Sequence, residues 1–207
     1  YIGDWSSDVC SSDLYVHPDM PEGVEEGIVR GLYPLKKSTK KGKKRVQLMS
    51  AGTIMREVEA AAVILEKDYG VAADIWSMTS VNELARDGHK VSRHNMMNPA
   101  EEPEVPYVTQ CLAPTEGPII AATDYIRAHT NQIREFMPRS FTVLGTDGFG
   151  RSDTRAQLRE FFEVDRRYVV LAAMTALADE GAVSRADVAK VMTDLGIDPA
   201  KPDPTTV

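Results

Sequence analysis

The feature that most constrains this chain is an alternation. From residue 46 onward, short apolar runs rich in β-branched residues take turns with stretches whose apolar residues recur at helical spacing. The runs 46–50, 71–77, 107–113, 119–122 and 141–145 read as strands. Helical spacing or capping signals mark 54–69, 79–86, 125–136, 153–162, 166–180 and 185–195. Strands separated by helices run parallel, because each helix carries the chain back across a sheet face. The expected fold class is therefore α/β, a three-layer domain with a mostly parallel sheet of about five strands flanked by helices.

Local signals punctuate this pattern. Thr53 reads as the N-cap of the first of these helices, whose Ile54, Val58, Ala61, Ala62 and Leu65 share one face, and Gly70 ends it. The pair Asp87-Gly88 reads as the stop of 79–86, which leaves 89–106 as a long aperiodic loop. Asp153, Asp165 and Ser184 read as caps of the last three helices. Val169, Val170, Ala173 and Leu177 form the buried stripe of the middle one.

Composition narrows the function classes. The 207 residues carry 24 Lys plus Arg against 31 Asp plus Glu, a formal charge of −7, which argues against a nucleic-acid binder. Hydrophobic residues at 43% suit a globular core, yet no apolar run approaches the ~20 residues that cross a bilayer. The two cysteines, Cys10 and Cys111, form no disulfide framework, and Cys111 reads as a buried structural thiol. No secretory segment is read at the start, which gives a cytoplasmic expectation.

The first residues differ in texture. Residues 1–14 have no helical or strand period, and Asp8-Val9-Cys10-Ser11-Ser12-Asp13-Leu14 resembles one reading frame of a common short-read sequencing adapter. They are expected to be non-native and are set aside. Residues 22–30 read as a short helix after Pro21. The basic run 36–45 reads as a solvated linker, with a partner-docking patch as the alternative.

Chemistry-bearing motifs are sparse. The segment Leu144-Gly145-Thr146-Asp147-Gly148-Phe149-Gly150-Arg151-Ser152-Asp153 joins a strand to a helix, where α/β domains place function. Its glycine spacing is neither a dinucleotide fingerprint nor a P-loop. It reads as a tight crossover capped by Asp153, or as a subunit- or anion-contacting loop with Arg151 as donor. Ser50-Ala51-Gly52-Thr53 is a second strand–turn–helix whose helix start could hold an anion; a plain turn also explains it. His17, His89, His94 and His129 lack zinc spacing, Glu101-Glu102 reads as a solvated loop, and Gly-x-Ser-x-Gly is absent. No complete active site emerges.

Four segments together resemble one family. They are Met20-Pro21-Glu22-Gly23-Val24-Glu25-Glu26-Gly27-Ile28, Thr79-Ser80-Val81-Asn82-Glu83-Leu84-Ala85-Arg86-Asp87-Gly88, the loop from Leu144 continued through Thr154-Arg155, and Phe162-Glu163-Val164-Asp165. They are similar to the C-terminal end of the homodimeric bacterial pyruvate dehydrogenase decarboxylating component, a thiamine diphosphate enzyme of the transketolase-like superfamily. The resemblance covers nearly everything after residue 14. It implies that 15–35 end the middle, pyrimidine-binding domain, that 36–45 connect, and that 44–207 form the transketolase-like C-terminal domain.

For the complete enzyme the resemblance implies oxidative decarboxylation of pyruvate and reductive acetylation of a lipoyl group. It implies thiamine diphosphate and magnesium, a second copy of the chain, and a lipoyl-bearing acetyltransferase component as partner. The residues that hold the cofactor belong upstream, so no catalytic, metal or cofactor residue is assigned here, and this chain alone is expected to be inactive. Its expected role is structural. The candidate interface is Thr146, Asp147, Gly148, Phe149, Gly150, Arg151 and Ser152, together with the 89–106 loop. The alternatives are a standalone interaction module of the same fold, or a small nucleotide-binding protein using residues 50–53.

Overall fold

The computed structural model describes residues 19–42 and 44–207; the adapter-like segment, Cys10 and His17 lie outside them. Among the described residues the first elements are α1 (Glu25–Arg30) and β1 (Tyr33–Lys36), then β2 (Arg45–Ser50). A 3₁₀ turn (Gly52–Ile54) leads into α2 (Met55–Asp68), followed by β3 (Ala72–Ser77) and α3 (Val81–Met97). Next come α4 (Tyr107–Leu112), β4 (Ile119–Ala122), α5 (Arg127–Asn131), a second 3₁₀ turn (Arg134–Phe136) and β5 (Phe141–Leu144). Helices α6 (Arg155–Phe161), α7 (Arg166–Asp179) and α8 (Arg185–Asp194) close the fold.

The five strands lie in the order β1-β3-β2-β4-β5. The pairs β2–β3, β2–β4 and β4–β5 are parallel, and β1 joins the edge antiparallel to β3. The expected α/β class and mostly parallel sheet are what the chain adopts. The chain leaves β2 toward β3 on one side and returns to β4 on the other. Such a reversal parts the loops at the carboxyl ends of β2 and β4 and opens a crevice between them.

Alternation along each strand divides the core. Val46, Leu48, Ala73, Ile75, Ile120 and Ala122 face α2, α7 and α8; Met49, Trp76, Ile119, Ala121, Phe141 and Val143 face α3, α4 and the second 3₁₀ turn. Helices on both faces make the expected three layers. The α2 face read from the sequence is buried as expected, and Asp165 and Ser184 cap α7 and α8.

Four local expectations are corrected. Thr53 is not an N-cap: it lies inside the 3₁₀ turn, and no side chain caps that turn. The 79–86 helix does not stop at Asp87-Gly88. It runs on to Met97, so His89 to Met97 are helix and the aperiodic segment begins only at 98. A Cβ on Gly88 would lie 2.3 Å from the Phe136 ring, so this glycine marks a close crossing inside a helix. Residues 107–113 are not a strand: Tyr107 to Leu112 form a helix, with Val108 and Leu112 one turn apart and buried. Asp153 does not cap α6; the Thr154 hydroxyl does, accepting from Gln157 N.

Two smaller differences concern the ends. The 125–136 helix divides into α5 and the second 3₁₀ turn. An unexpected strand, β1, forms at the edge, where Pro34 is tolerated. It spans the junction between 15–35 and 36–45 and hydrogen-bonds into this sheet. The basic run beyond it is also tied down. Ser38 N donates to Asp74 Oδ1 (2.8 Å), Lys40 Nζ to Glu66 O (2.7 Å), and Arg45 to both Asp74 oxygens.

Candidate functional site

The carboxyl edge of the sheet gathers the loops after β2, β4 and β5. Thr146 N donates to Tyr125 O (3.0 Å) and Thr146 Oγ1 to Asp124 O (2.7 Å). Asp147 Oδ2 accepts from Arg127 N (3.1 Å) and Arg127 Nε (2.7 Å). These bonds join the two loops and place Asp147 at the start of α5, where it serves an amide that has no partner within the helix. Gly145 is needed because a Cβ there would come within 2.6 Å of Tyr125 O. At Gly148, φ is +115° and a Cβ would lie 2.3 Å from Pro204 O, so the C-terminal residues pack directly over the loop.

The candidate interface residues thus divide by environment. Thr146, Asp147 and Gly148 are engaged within the fold. The Arg151 guanidinium lies 4.0 Å from the centre of the Phe161 ring. Phe149 is 79% exposed, and beside this loop Tyr125 and Ile126 are 57% and 53% exposed. Three large apolar side chains therefore face outward at one edge. Tyr125 and Ile126 were read as ordinary helical residues. The signal for them was their place just past the apolar run 119–122.

Behind this edge sits an ion cluster around the buried Glu57. Glu57 on α2 receives Arg159 NH1 (2.9 Å) from α6 and Arg166 Nε (2.8 Å) from α7. Burial would raise the Glu57 carboxyl, but the hydrogen bonds and charge of Arg166, with the charge of Arg159, hold it below the usual carboxylate range. At the opposite edge, Asp74 meets Arg45, Gln47 Nε2 (3.0 Å) and Ser38 N, while Trp76 Nε1 donates to Gln47 Oε1 (2.8 Å). Burial would raise this carboxyl too, and the bonds from Gln47, Ser38 and Arg45 lower it instead.

The other sequence candidates are not brought together. His89 Nδ1 faces Glu135 (3.4 Å), and His94 Nε2 lies between Glu101 (3.5 Å) and Glu104 (3.6 Å) on the surface. His129 rests against the Tyr125 ring. Cys111 is half-buried, and burial pushes its thiol above the ordinary value despite the Tyr107 hydrogen bond, so it is no activated nucleophile. A diphosphate held through a divalent cation needs converging oxygen ligands. Among the described residues, no group of three His, Cys, Asp or Glu is placed to hold a metal ion. No chemical step is assigned to the described residues. No helix among them is long and apolar enough to cross a membrane.

Comparison with known proteins agrees with this architecture. The family described as the transketolase-like TK C-terminal domain matches residues 31–165. This chain belongs to that family. The pyruvate dehydrogenase E1 component of Cupriavidus necator is 54% identical over 95% of this chain, and that of Escherichia coli K12 is 47% identical over 93%. In each case the match covers 22% of the relative, so the chain spans about a fifth of the length of these curated relatives. A solved transketolase from Campylobacter jejuni superposes with a TM-score of 0.48 at 20% identity, over 70% of this chain and 18% of that one.

Proposed function

We propose that this chain is the C-terminal part of a pyruvate dehydrogenase E1 component, supplying the domain that supports its assembly. The observation that carries the reading is 54% identity to such a component across 95% of the chain. The complete protein would decarboxylate pyruvate oxidatively and transfer the two-carbon unit to a lipoyl group of an acetyltransferase partner, in the cytoplasm. Thiamine diphosphate and magnesium would be held by parts of the protein outside this chain.

The contribution of these residues would be positional. The carboxyl edge of the sheet presents Phe149, Tyr125 and Ile126 on loops fixed by Asp147–Arg127 and Thr146–Tyr125 bonds. Burying such side chains against the second copy of the enzyme would stabilise the dimer by ~1.5–3 kcal/mol each. The loop 146–152 is thereby the interface candidate, with Phe149 as its anchor and Asp147 as its brace.

Phe149→Asp and Ile126→Asp in a full-length enzyme test the role. Dimer dissociation by analytical ultracentrifugation should rise and turnover should fall with it; unchanged dimer affinity and turnover in both variants would remove this interface. Calorimetry of the 207-residue chain with thiamine diphosphate and magnesium should show no heat of binding. Micromolar affinity there would overturn the assignment of the cofactor site to the rest of the enzyme.

A further inference from the structure

We propose that residues 198–206 form a detachable strap that fixes the shape of loop 146–152 and so sets how that loop presents Phe149. The functional consequence rests on the interface reading of the loop given above.

The chain leaves α8 through Gly196, at φ +63°, and Ile197 N donates back to Met192 O (2.9 Å). From there it crosses the junction of α6 and α7 to the carboxyl edge of the sheet. It is fastened at two points. Lys201 Nζ donates to Phe161 O (2.8 Å), the carbonyl of the last residue of α6, where a helix leaves acceptors unpaired and favours a cation. The same ammonium donates to Glu163 Oε1 (2.9 Å). Farther along, Pro204 is buried, and its carbonyl oxygen would lie 2.3 Å from a Cβ on Gly148. Backbone meets backbone there, which only a residue without a side chain allows.

Both fasteners act on the loop. The Arg151 guanidinium lies 4.0 Å from the centre of the Phe161 ring and Lys201 Nζ lies 5.5 Å from it, so loop and strap share one aromatic support. Glu163, which accepts from Lys201, stands at φ +60°, a conformation that a residue with a side chain keeps only under restraint. The loop itself is secured unevenly. Thr146 and Asp147 are bonded to residues 124–127, whereas Gly148 meets the strap. Phe149 follows at once, so the strap bears on the part of the loop that carries the exposed ring.

The attachment is light enough to open. Among the described residues, the hydrogen bonds from this segment to the rest of the fold leave from Lys201 Nζ, and those of Asp198 and Asp203 close turns within the segment. Pro202, Asp203, Thr205 and Thr206 are exposed. Beneath lies a cavity of about 240 Å³ bordered by Arg127, Asp147, Leu144 and Phe162, so the strap does not pack closely on what it covers. A segment with so few buried contacts opens locally, without global unfolding. Pro199, Pro202 and Pro204 restrict the released segment, so it closes again at a small conformational cost.

NMR order parameters of the backbone in the 207-residue chain test the strap without reference to a dimer. Ending the chain after Asp198 should lower the values at Gly148, Phe149 and Gly150 from about 0.85 to below about 0.6, with α3 unchanged. Lys201→Met removes both hydrogen bonds, keeps the aliphatic stem and should lower the same values by less. Because coupling is reciprocal, Gly148→Ala should in turn loosen residues 201–205. Unchanged order at Gly148 and Gly150 in the first two proteins, or unchanged order at 201–205 in the third, would overturn the proposal. In a full-length enzyme the same truncation should raise the dimer dissociation constant at least roughly threefold by analytical ultracentrifugation. A loop that loosens while dimer affinity holds leaves the strap standing and removes the interface reading instead.

Discussion

At the scale of single residues, Gly88 shows how a side chain that is missing can position a helix. It lies inside α3, where alanine would ordinarily favour the helix by about 1 kcal/mol. The buried Phe136 ring occupies the space that a Cβ needs, at 2.3 Å. Gly88→Ala should therefore destabilise the chain by about 1–3 kcal/mol in urea unfolding, the overpacking cost outweighing propensity. Adding Phe136→Leu should recover part of that loss; a stabilised Gly88→Ala protein would show that the ring moves aside freely. In the sequence, Asp-Gly reads as a stop. The buried stripe Val81, Leu84, Ala85, Gly88 and Val91 continues through it at helical spacing, and that continuation was the stronger signal. Asp87 likewise has a role that no local pattern shows: its carboxylate accepts from Tyr107 N at 2.6 Å, twenty positions on.

At the scale of elements, that bond explains why some boundaries were legible and others were not. Ser80, Asp165 and Ser184 cap their own helices from within the sequence. Of these, Asp165 and Ser184 were read correctly, because a short polar side chain before an apolar-periodic stretch is a local pattern. The starts of α4 and α5 are served from elsewhere in the chain, by Asp87 and Asp147. Without those partners the run 107–113, with its valine, tyrosine and threonine, favours a strand. The same holds for the candidate site. The loop 144–153 was visible as a glycine-rich crossover, but its union with residues 124–127 is tertiary and has no sequence period. Ser80→Ala should cost about 1 kcal/mol of stability and raise amide exchange in the first turn of α3. Asp147→Ala should do the same for α5, with faster exchange at Arg127. Exchange unchanged at both places would mean that water replaces these caps at no cost.

At the scale of the whole molecule, two carboxylates tie separate layers together, and they contribute to its response to acid. Glu57 joins α2 to α6 and α7, while Asp74 joins β3 to β2 and to the basic segment before it. Both are held below their ordinary pKa in the folded chain. Unfolded, they titrate near the reference values of about 3.9–4.3. The unfolded chain therefore takes up protons first as the pH falls, and each carboxylate contributes stability above that range that is lost as pH drops through its folded value. Chemical unfolding followed from pH 7 to below these values should show stability falling with acid. Glu57→Gln should lower stability at pH 7 by about 1–3 kcal/mol, because the charge-assisted hydrogen bonds from Arg159 and Arg166 are weakened. The same substitution should flatten the acid limb, since one of the linked protons is gone. A variant that keeps the full acid slope would mean that the slope arises from other groups, and the ion cluster would then be no determinant of how α6 and α7 are held behind the carboxyl edge of the sheet.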